Sequence, residues 1–179
     1  MRRVCLLALS CLSLLGCDSS EHKAKSEPAS ASASAKVDVG SPPRFLRGPT
    51  GGADIPSFVR EELAEANAAQ KAGKGGYTRV LVYVGATWCE PCQYFHQAVT
   101  EGKLDRDLQG VTFVEFDLDQ DRDALASAGY ASRMIPLFAL PDAAGRGTEQ
   151  RIAGSIKGPG ATANILPRLD KLLAGEPVN

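Results

Sequence analysis

The chain has 179 residues, a formal net charge of −1 and a hydrophobic content of 44%. A net charge this small gives no indication of nucleic-acid binding. The hydrophobic content is ordinary for a globular protein, and the length suits one compact domain with terminal extensions.

The N-terminus has the pattern of a bacterial lipoprotein signal. Arg2 and Arg3 follow the first methionine and make the start of the chain basic. Residues 4–15 are apolar, but this run is too short for an ordinary transmembrane helix. The sequence Leu14-Leu15-Gly16-Cys17 resembles a lipobox, where the signal is cleaved before a cysteine that then carries lipid. We therefore expect residues 1–16 to be a signal peptide and Cys17 to be lipidated, with an ordinary secretory signal as the alternative. The protein would then be extracytoplasmic and anchored to a bacterial membrane, on the periplasmic side in a Gram-negative cell.

Residues 17–53 are expected to form a disordered tether, because they are rich in Ala, Ser and Pro and contain few large apolar side chains. Phe45 and Leu46 are the two residues of this segment that could pack on a folded domain. The domain itself is expected over residues 54–179.

Within the domain, hydrophobic patterning predicts strands and helices in alternation, followed by a hairpin and a last helix. The predicted strands are residues 78–84, 111–118, 137–140 and 148–153. The predicted helices are residues 57–72, 89–100, 121–128 and 162–173, with a short helical piece near 104–108. Ser57 and Asp121 are the expected N-caps, and Pro167 is expected in the first turn of the last helix or at a kink. This order predicts an α/β fold in which a mixed sheet has helices on both faces.

The most informative motif is Trp88-Cys89-Glu90-Pro91-Cys92, where the first predicted strand turns into a helix. Unpaired N–H groups and the helix dipole at a helix N-terminus favour the thiolate of the first cysteine. The second cysteine is close enough to resolve a mixed disulfide. The other cysteines are residues 5, 11 and 17, so removal of the signal would leave Cys89 and Cys92 as the free thiols. No set of four cysteines would remain for a zinc site.

Taken together, the Cys-Glu-Pro-Cys motif after a Val-rich strand and the Ile135-Pro136 pair resemble thioredoxin over about residues 55–175. The resemblance implies the thioredoxin fold and a redox disulfide between Cys89 and Cys92, without a cofactor or a metal. It also implies that Pro136 is a cis-proline beside the cysteine pair, with the backbone of Ile135 contacting an extended substrate. Trp88 would shield the thiolate, and Gly154 matches a glycine after the last strand.

Two groups within this superfamily are more similar in detail. Glu90-Pro91 resembles the reductases of the ResA/TlpA type, and the segment after Cys92 resembles the C-terminal domain of DsbD-type reductases. Both imply a thiol-disulfide oxidoreductase that reduces exported proteins and is then reduced again by a membrane electron donor. Such a protein is expected to be a monomer with no nucleic-acid partner. The alternatives are a disulfide oxidase or isomerase, a non-enzymatic binding protein of this fold, and a copper-delivery protein.

The chain departs from thioredoxin behind the cysteine pair. Tyr83 stands where thioredoxin has a buried aspartate, and Glu115 stands where it has a lysine. The proton relay for Cys92 therefore falls to Glu115 or to His96, which lies one helical turn after Cys92. Each could instead be an ordinary exposed side chain. The alternating aspartates from Asp117 to Asp123 lack the spacing of an EF-hand and are expected to form a solvated loop.

Overall fold

The computed structural model describes residues 40–51 and 54–178. The expected signal peptide, the expected lipidation site Cys17 and the tether as far as residue 39 lie outside the described residues. Within the described part of the chain, no helix is both long enough and apolar enough to cross a membrane.

Five strands and four helices make up the domain. The strands are β1 Arg44–Arg47, β2 Arg79–Gly85, β3 Val111–Asp117, β4 Leu137–Pro141 and β5 Gly147–Ala153. The helices are α1 Ile55–Lys71, α2 Glu90–Thr100, α3 Leu118–Ser127 and α4 Ala161–Leu173. The strand order is β1-β3-β2-β4-β5, in which β1, β3 and β2 are parallel and β4 and β5 are antiparallel to their neighbours.

Side chains alternate between the two faces of the sheet, as the two-residue period of a strand requires. On one face, Leu81 and Tyr83 of β2 join a buried cluster with residues of α2 and α4. On the other face, Val80, Val82 and Val84 pack in a cluster with residues of α1 and α3. The chain thus has the α/β thioredoxin fold that the sequence predicted, with a mixed central sheet and helices on both faces.

Strand β1 corrects the predicted domain boundary, because residues 44–47 fall inside the expected tether. This strand pairs in parallel with β3, with Phe45 opposite Phe113 and Arg47 opposite Glu115. Backbone pairing at a sheet edge and the packing of Phe45 on the core order the segment, although its composition is poor in apolar residues. The folded domain therefore begins before residue 54.

Two predicted N-caps were wrong by a few residues. Asp54 caps α1 and accepts a hydrogen bond from the backbone N–H of Ser57, which was the expected cap. Asp117 caps α3 through hydrogen bonds from the N–H groups of Asp119 (2.9 Å) and Gln120 (3.2 Å). In both cases an aspartate further upstream reaches the free N–H groups of the first turn first.

Asp121, the expected cap of the third helix, is instead buried within it. It is 2% exposed, and its Oδ2 accepts a hydrogen bond from the backbone N–H of Asp117 (3.3 Å). Two further expectations need correction. Residues 101–110 form turns rather than a short helix, and Pro167 lies inside α4, beyond the first turn.

Candidate active site

The cysteine pair lies at the junction between β2 and α2. Cys89 is the N-cap of α2, and its sulfur accepts a hydrogen bond from the backbone N–H of Cys92 (3.3 Å). The two residues form a disulfide with a Cα–Cα distance of 5.2 Å. Pro91 occupies the first turn, where the missing N–H of a proline breaks no helical hydrogen bond. The predicted redox pair is therefore present at the N-terminus of a helix.

Pro136 lies at the same edge of the sheet as the cysteine pair. The Ile135-Pro136 peptide bond is cis, as the resemblance implied. Leu137, the next residue, is paired with Val84 near the end of β2, so β4 begins where β2 ends. The carbonyl oxygen of Pro136 accepts a hydrogen bond from the N–H of Gly154 (2.9 Å), which links this segment to the turn after β5. The substrate contact expected at Ile135 stays a prediction.

Trp88 is mostly exposed to solvent, with 63% of its surface accessible. Its Nε1–H donates a hydrogen bond to Asp119 Oδ2 (2.7 Å), at the start of α3. The indole therefore lies on the surface beside Cys89, where its predicted shielding role remains untested. Asp119 as its partner was missed by sequence reasoning, because 31 residues separate the two and no local pattern joins them.

The two candidate proton-relay residues meet in one cavity of about 410 Å³ behind the cysteine pair. Cys92, His96 and Glu115 all contribute to its wall. His96 Nε2 lies 3.6 Å from Glu115 Oε1, and the side chains are 41% and 22% exposed, respectively. Glu115 is thus partly sheltered rather than fully exposed, and the two candidates form a pair instead of two separate options.

Tyr83 takes the place of the buried aspartate of thioredoxin and also contributes to this cavity. It is 2% exposed, and burial, followed by the charge of Glu115, raises the pKa of its hydroxyl. The phenol therefore stays neutral near pH 7 and does not supply a base.

Large apolar side chains are exposed at the edge of the sheet where the cysteine pair lies. Trp88, Met134 and Ile156 are the exposed large hydrophobic residues of the described chain, with exposures of 63%, 61% and 54%. They lie after β2, before β4 and after β5, which the antiparallel pairing brings to one edge of the sheet. A protein segment that reached the disulfide at this edge would meet an apolar surface.

The described ranges, 40–51 and 54–178, contain no group of three or more His, Cys, Asp or Glu side chains arranged to hold a metal ion. Asp117 and Asp119 already act as hydrogen-bond acceptors for the α3 N-terminus and for Trp88, respectively.

Comparison with known proteins gives likenesses in fold. No protein-family model matches the sequence, and no curated protein matches it significantly. The solved structures that it resembles include thioredoxins. Trichomonas vaginalis thioredoxin has a TM-score of 0.45 and 21% identity, covering 76% of this chain and 99% of that one. A mutant thioredoxin from Halobacterium salinarum has a TM-score of 0.36 and 20% identity, covering 70% of this chain and 90% of that one.

What the site can do chemically follows from its own geometry. A disulfide at a helix N-terminus can be reduced to a dithiol whose first sulfur is stabilised as a thiolate by the helix. The second sulfur, fixed one turn away, can then attack a mixed disulfide formed on the first. The arrangement fits thiol-disulfide exchange.

Proposed function

We propose that the protein is an extracytoplasmic, membrane-tethered thiol-disulfide oxidoreductase that reduces disulfides of exported proteins. The observation that carries this proposal is the Cys89–Cys92 disulfide pair at the N-terminus of α2, with Cys89 as the N-cap. The exposed apolar side chains at the same edge of the sheet suit a polypeptide substrate.

The reaction begins with the dithiol form. The Cys89 thiolate attacks one sulfur of the substrate disulfide, which forms a mixed disulfide and releases the other substrate sulfur as a thiolate. Cys92 then gives up its proton and attacks Cys89, forming the Cys89–Cys92 disulfide and releasing the second substrate thiol. Two electrons pass from the cysteine pair to the substrate. His96 and Glu115 are proposed as the groups that take the proton of Cys92.

The direction of electron flow is proposed from the residues around the pair. Pro91 directly precedes the resolving cysteine, as in the reductases that the sequence resembles. The compartment outside the cytoplasm is oxidising, so the disulfide form must be reduced again by a membrane thiol-reductase donor. A lipid anchor at Cys17 and the tether after it would hold the domain near that donor and raise its effective concentration there.

The experiment that tests the activity is insulin reduction with dithiothreitol as the electron source. Wild type is expected to accelerate insulin precipitation, and Cys89→Ser is expected to abolish the acceleration. Cys92→Ser, reduced and freed of dithiothreitol before insulin is added, should instead accumulate a mixed disulfide with insulin, visible on a non-reducing gel. A wild-type rate equal to that of Cys89→Ser would overturn the proposed activity.

The direction is tested by the reduction potential of the cysteine pair. Equilibration with glutathione buffers should give a reduction potential of about −270 mV, as for a reductant. A potential of about −120 mV, as for a strong oxidant, would contradict the proposed direction without contradicting the oxidoreductase activity. Lipidation is tested separately, by incorporation of labelled palmitate into wild type and its loss in Cys17→Ala.

A further inference from the structure

His96 contacts the ring of Phe45, a residue that has no part in the reaction proposed above. The Phe45 ring stacks face to face on the imidazole, with a centroid distance of 4.2 Å and an interplanar angle of 9°. Phe45 comes from the edge strand β1, within the segment that the sequence assigned to the tether, and it also contacts the rings of Tyr83 (5.2 Å) and Phe113 (5.4 Å). The ring is therefore fixed by the core on one side and covers His96 on the other.

We propose that His96 and Glu115 take the proton of Cys92 as one coupled unit, and that Phe45 is the positioning residue that holds His96 in this unit. The proposal rests on the thiol-disulfide function proposed above. It deepens that function by assigning a role to β1, the strand with which the folded domain begins.

The geometry explains why His96 needs a positioning residue. An imidazole that is 41% exposed on a helix surface can adopt several side-chain rotamers. One face of the ring lies against Phe45, while Nε2 lies 3.6 Å from Glu115 Oε1. These two contacts restrict the ring to an orientation that keeps it at the wall of the cavity shared with Cys92. Loss of the stacking would free the ring to turn into solvent.

Other charged or titratable groups also face His96. Across the cavity shared with Cys92 these are Arg47 of β1, Tyr83 of β2, and Glu115 and Asp117 of β3. On the opposite side, His96 and Asp105 both contribute to the wall of a second cavity of about 380 Å³. Arg44 also borders this cavity, but its side chain points to the other face of the sheet from Phe45, where its Nε donates to Thr112 Oγ1 (3.1 Å) and its guanidinium lies 3.8 Å from the Tyr77 ring centroid. The close contact between charged or titratable groups at the imidazole is with Glu115, at 3.6 Å.

The proton step can be written so that charge and electrons balance. In the mixed disulfide, the Cys92 S–H proton passes to the His96–Glu115 unit, and the Cys92 sulfur forms a bond with the Cys89 sulfur. The bond between Cys89 and the substrate sulfur breaks, and the substrate leaves as a thiolate that takes up a proton from the unit or from water. The two electrons come from the cysteine pair, as in the exchange described above.

The test separates the two chemical steps in a single turnover. Reduced protein is mixed with an equimolar amount of dithiodipyridine, which releases one thiopyridone when Cys89 attacks and a second when Cys92 resolves the mixed disulfide. With His96→Gln or Glu115→Gln, the second release should slow about tenfold near pH 7, while the first changes by less than about twofold. The double variant should be no slower than either single variant, because the two residues act as one unit. The matched control is Glu149→Gln, which removes an exposed carboxylate on β5.

The pH profile and the Phe45 variants test positioning. Below the pKa of a thiol, its thiolate fraction rises tenfold per pH unit. A variant that has lost the relay should therefore need a pH about one unit higher to reach the wild-type rate of the second release. Phe45→Leu should reproduce this shift, and Phe45→Tyr, which keeps a ring to stack, should restore the rate to within about twofold. The matched control is Phe58→Leu, the same change at a half-buried phenylalanine of α1 on the opposite face of the sheet.

Each failure points to a different part of the proposal. An unchanged second release in both His96→Gln and Glu115→Gln would overturn the relay, and additive effects in the double variant would overturn the coupling. Equal slowing by Phe45→Leu and Phe45→Tyr, or slowing of both releases together, would overturn the positioning role. Failure of wild type to release thiopyridone or to reduce insulin would instead overturn the proposed function itself.

Discussion

The backbone N–H of Cys92 points at the sulfur of Cys89 and donates to it a hydrogen bond of 3.3 Å. Cys89 therefore occupies the N-cap position that an oxygen-bearing side chain usually takes, and its sulfur is the capping atom. In the reduced protein this N–H and the helix dipole would stabilise negative charge on Cys89 more than on Cys92. The two thiols should differ in reactivity even though they are only three residues apart.

Selective alkylation measures this difference. Reduced protein treated with a limiting amount of iodoacetamide near pH 7 should be modified at Cys89 at least about tenfold more than at Cys92, as quantified by peptide mass spectrometry. Labelling in concentrated urea is the control, in which the helix is lost and the two sites should react alike. Preferential modification of Cys92 in the folded protein would contradict the assigned roles.

The hydrogen bond from Trp88 to Asp119 can be followed by fluorescence, because Trp88 is the only tryptophan of the chain. Asp119→Ala should increase quenching of the indole by acrylamide and lower the insulin-reduction rate several-fold, because the residue next to Cys89 loses its anchor. Global stability should fall by no more than about 1 kcal/mol, since both groups are largely exposed. Asp123→Ala, an exposed aspartate of the same helix, is the control; equal quenching in both variants would show that the hydrogen bond does not restrain Trp88.

Arg168 connects α4 to the turn beside Pro136. Its guanidinium donates to the carbonyl oxygens of Gly154 (2.8 Å) and Ala153 (2.9 Å), and Gly154 N–H donates to Pro136. Arg168→Ala should lower the free energy of unfolding by about 1–3 kcal/mol, because two partly buried carbonyl groups lose a charged donor.

We expect a polypeptide substrate, unlike a small disulfide, to contact the turn after β5. The same variant should therefore raise KM for insulin and leave the reaction with a small disulfide unchanged. The control is Lys171→Ala, which removes an exposed cation from the same helix. An equal loss with both kinds of substrate would argue against contact between the turn after β5 and the polypeptide.

Gly48, just after β1, lies flat against the Phe116 ring. An added Cβ would come within 2.3 Å of the ring carbon Cε1, and Phe116 is a core residue that is 1% exposed. Gly48→Ala should therefore destabilise the protein by about 1–3 kcal/mol in urea denaturation, because strand and ring must move apart. Gly40→Ala, where the new Cβ meets its neighbours at 3.4 Å, is the control and should be nearly neutral. Wild-type stability of Gly48→Ala would show that β1 is not held closely on the sheet.

Two buried tyrosines predict a loss of stability at alkaline pH. Burial, followed by the charge of Glu115, raises the pKa of Tyr83, and burial, followed by the charge of Asp142, raises that of Tyr130. A pKa raised by folding contributes stability that is complete below the unfolded value, near 10, and is lost as the pH rises above it.

Each such tyrosine contributes a slope of up to about 1.4 kcal/mol per pH unit between its unfolded and folded pKa values. Urea denaturation at increasing pH above 10 should show this decline, with a smaller slope in Tyr83→Phe than in wild type. A pH-independent stability above pH 10 would contradict the raised pKa values.

The sequence by itself located the parts of the protein that local patterns encode. The strand before Cys89, the helix after it and the Ile135-Pro136 segment follow from hydrophobic periodicity, from the behaviour of proline and from a resemblance carried by contiguous residues. The predicted caps Ser57 and Asp121 failed because neighbouring aspartates compete for the same free N–H groups, and only the backbone geometry decides between them.

The tertiary structure decided which distant residues meet. Phe45 stacks on His96, Glu115 pairs with His96, and Asp119 holds Trp88, although each pair comes from different elements of the fold. These contacts depend on the register of β1 and β3 and on how α2 lies over the sheet, which no local pattern records. Burial of apolar surface sets that register for the whole sheet at once. The sequence could therefore name His96 and Glu115 as the two candidate proton-relay residues. Only the folded chain shows that their side chains form a pair.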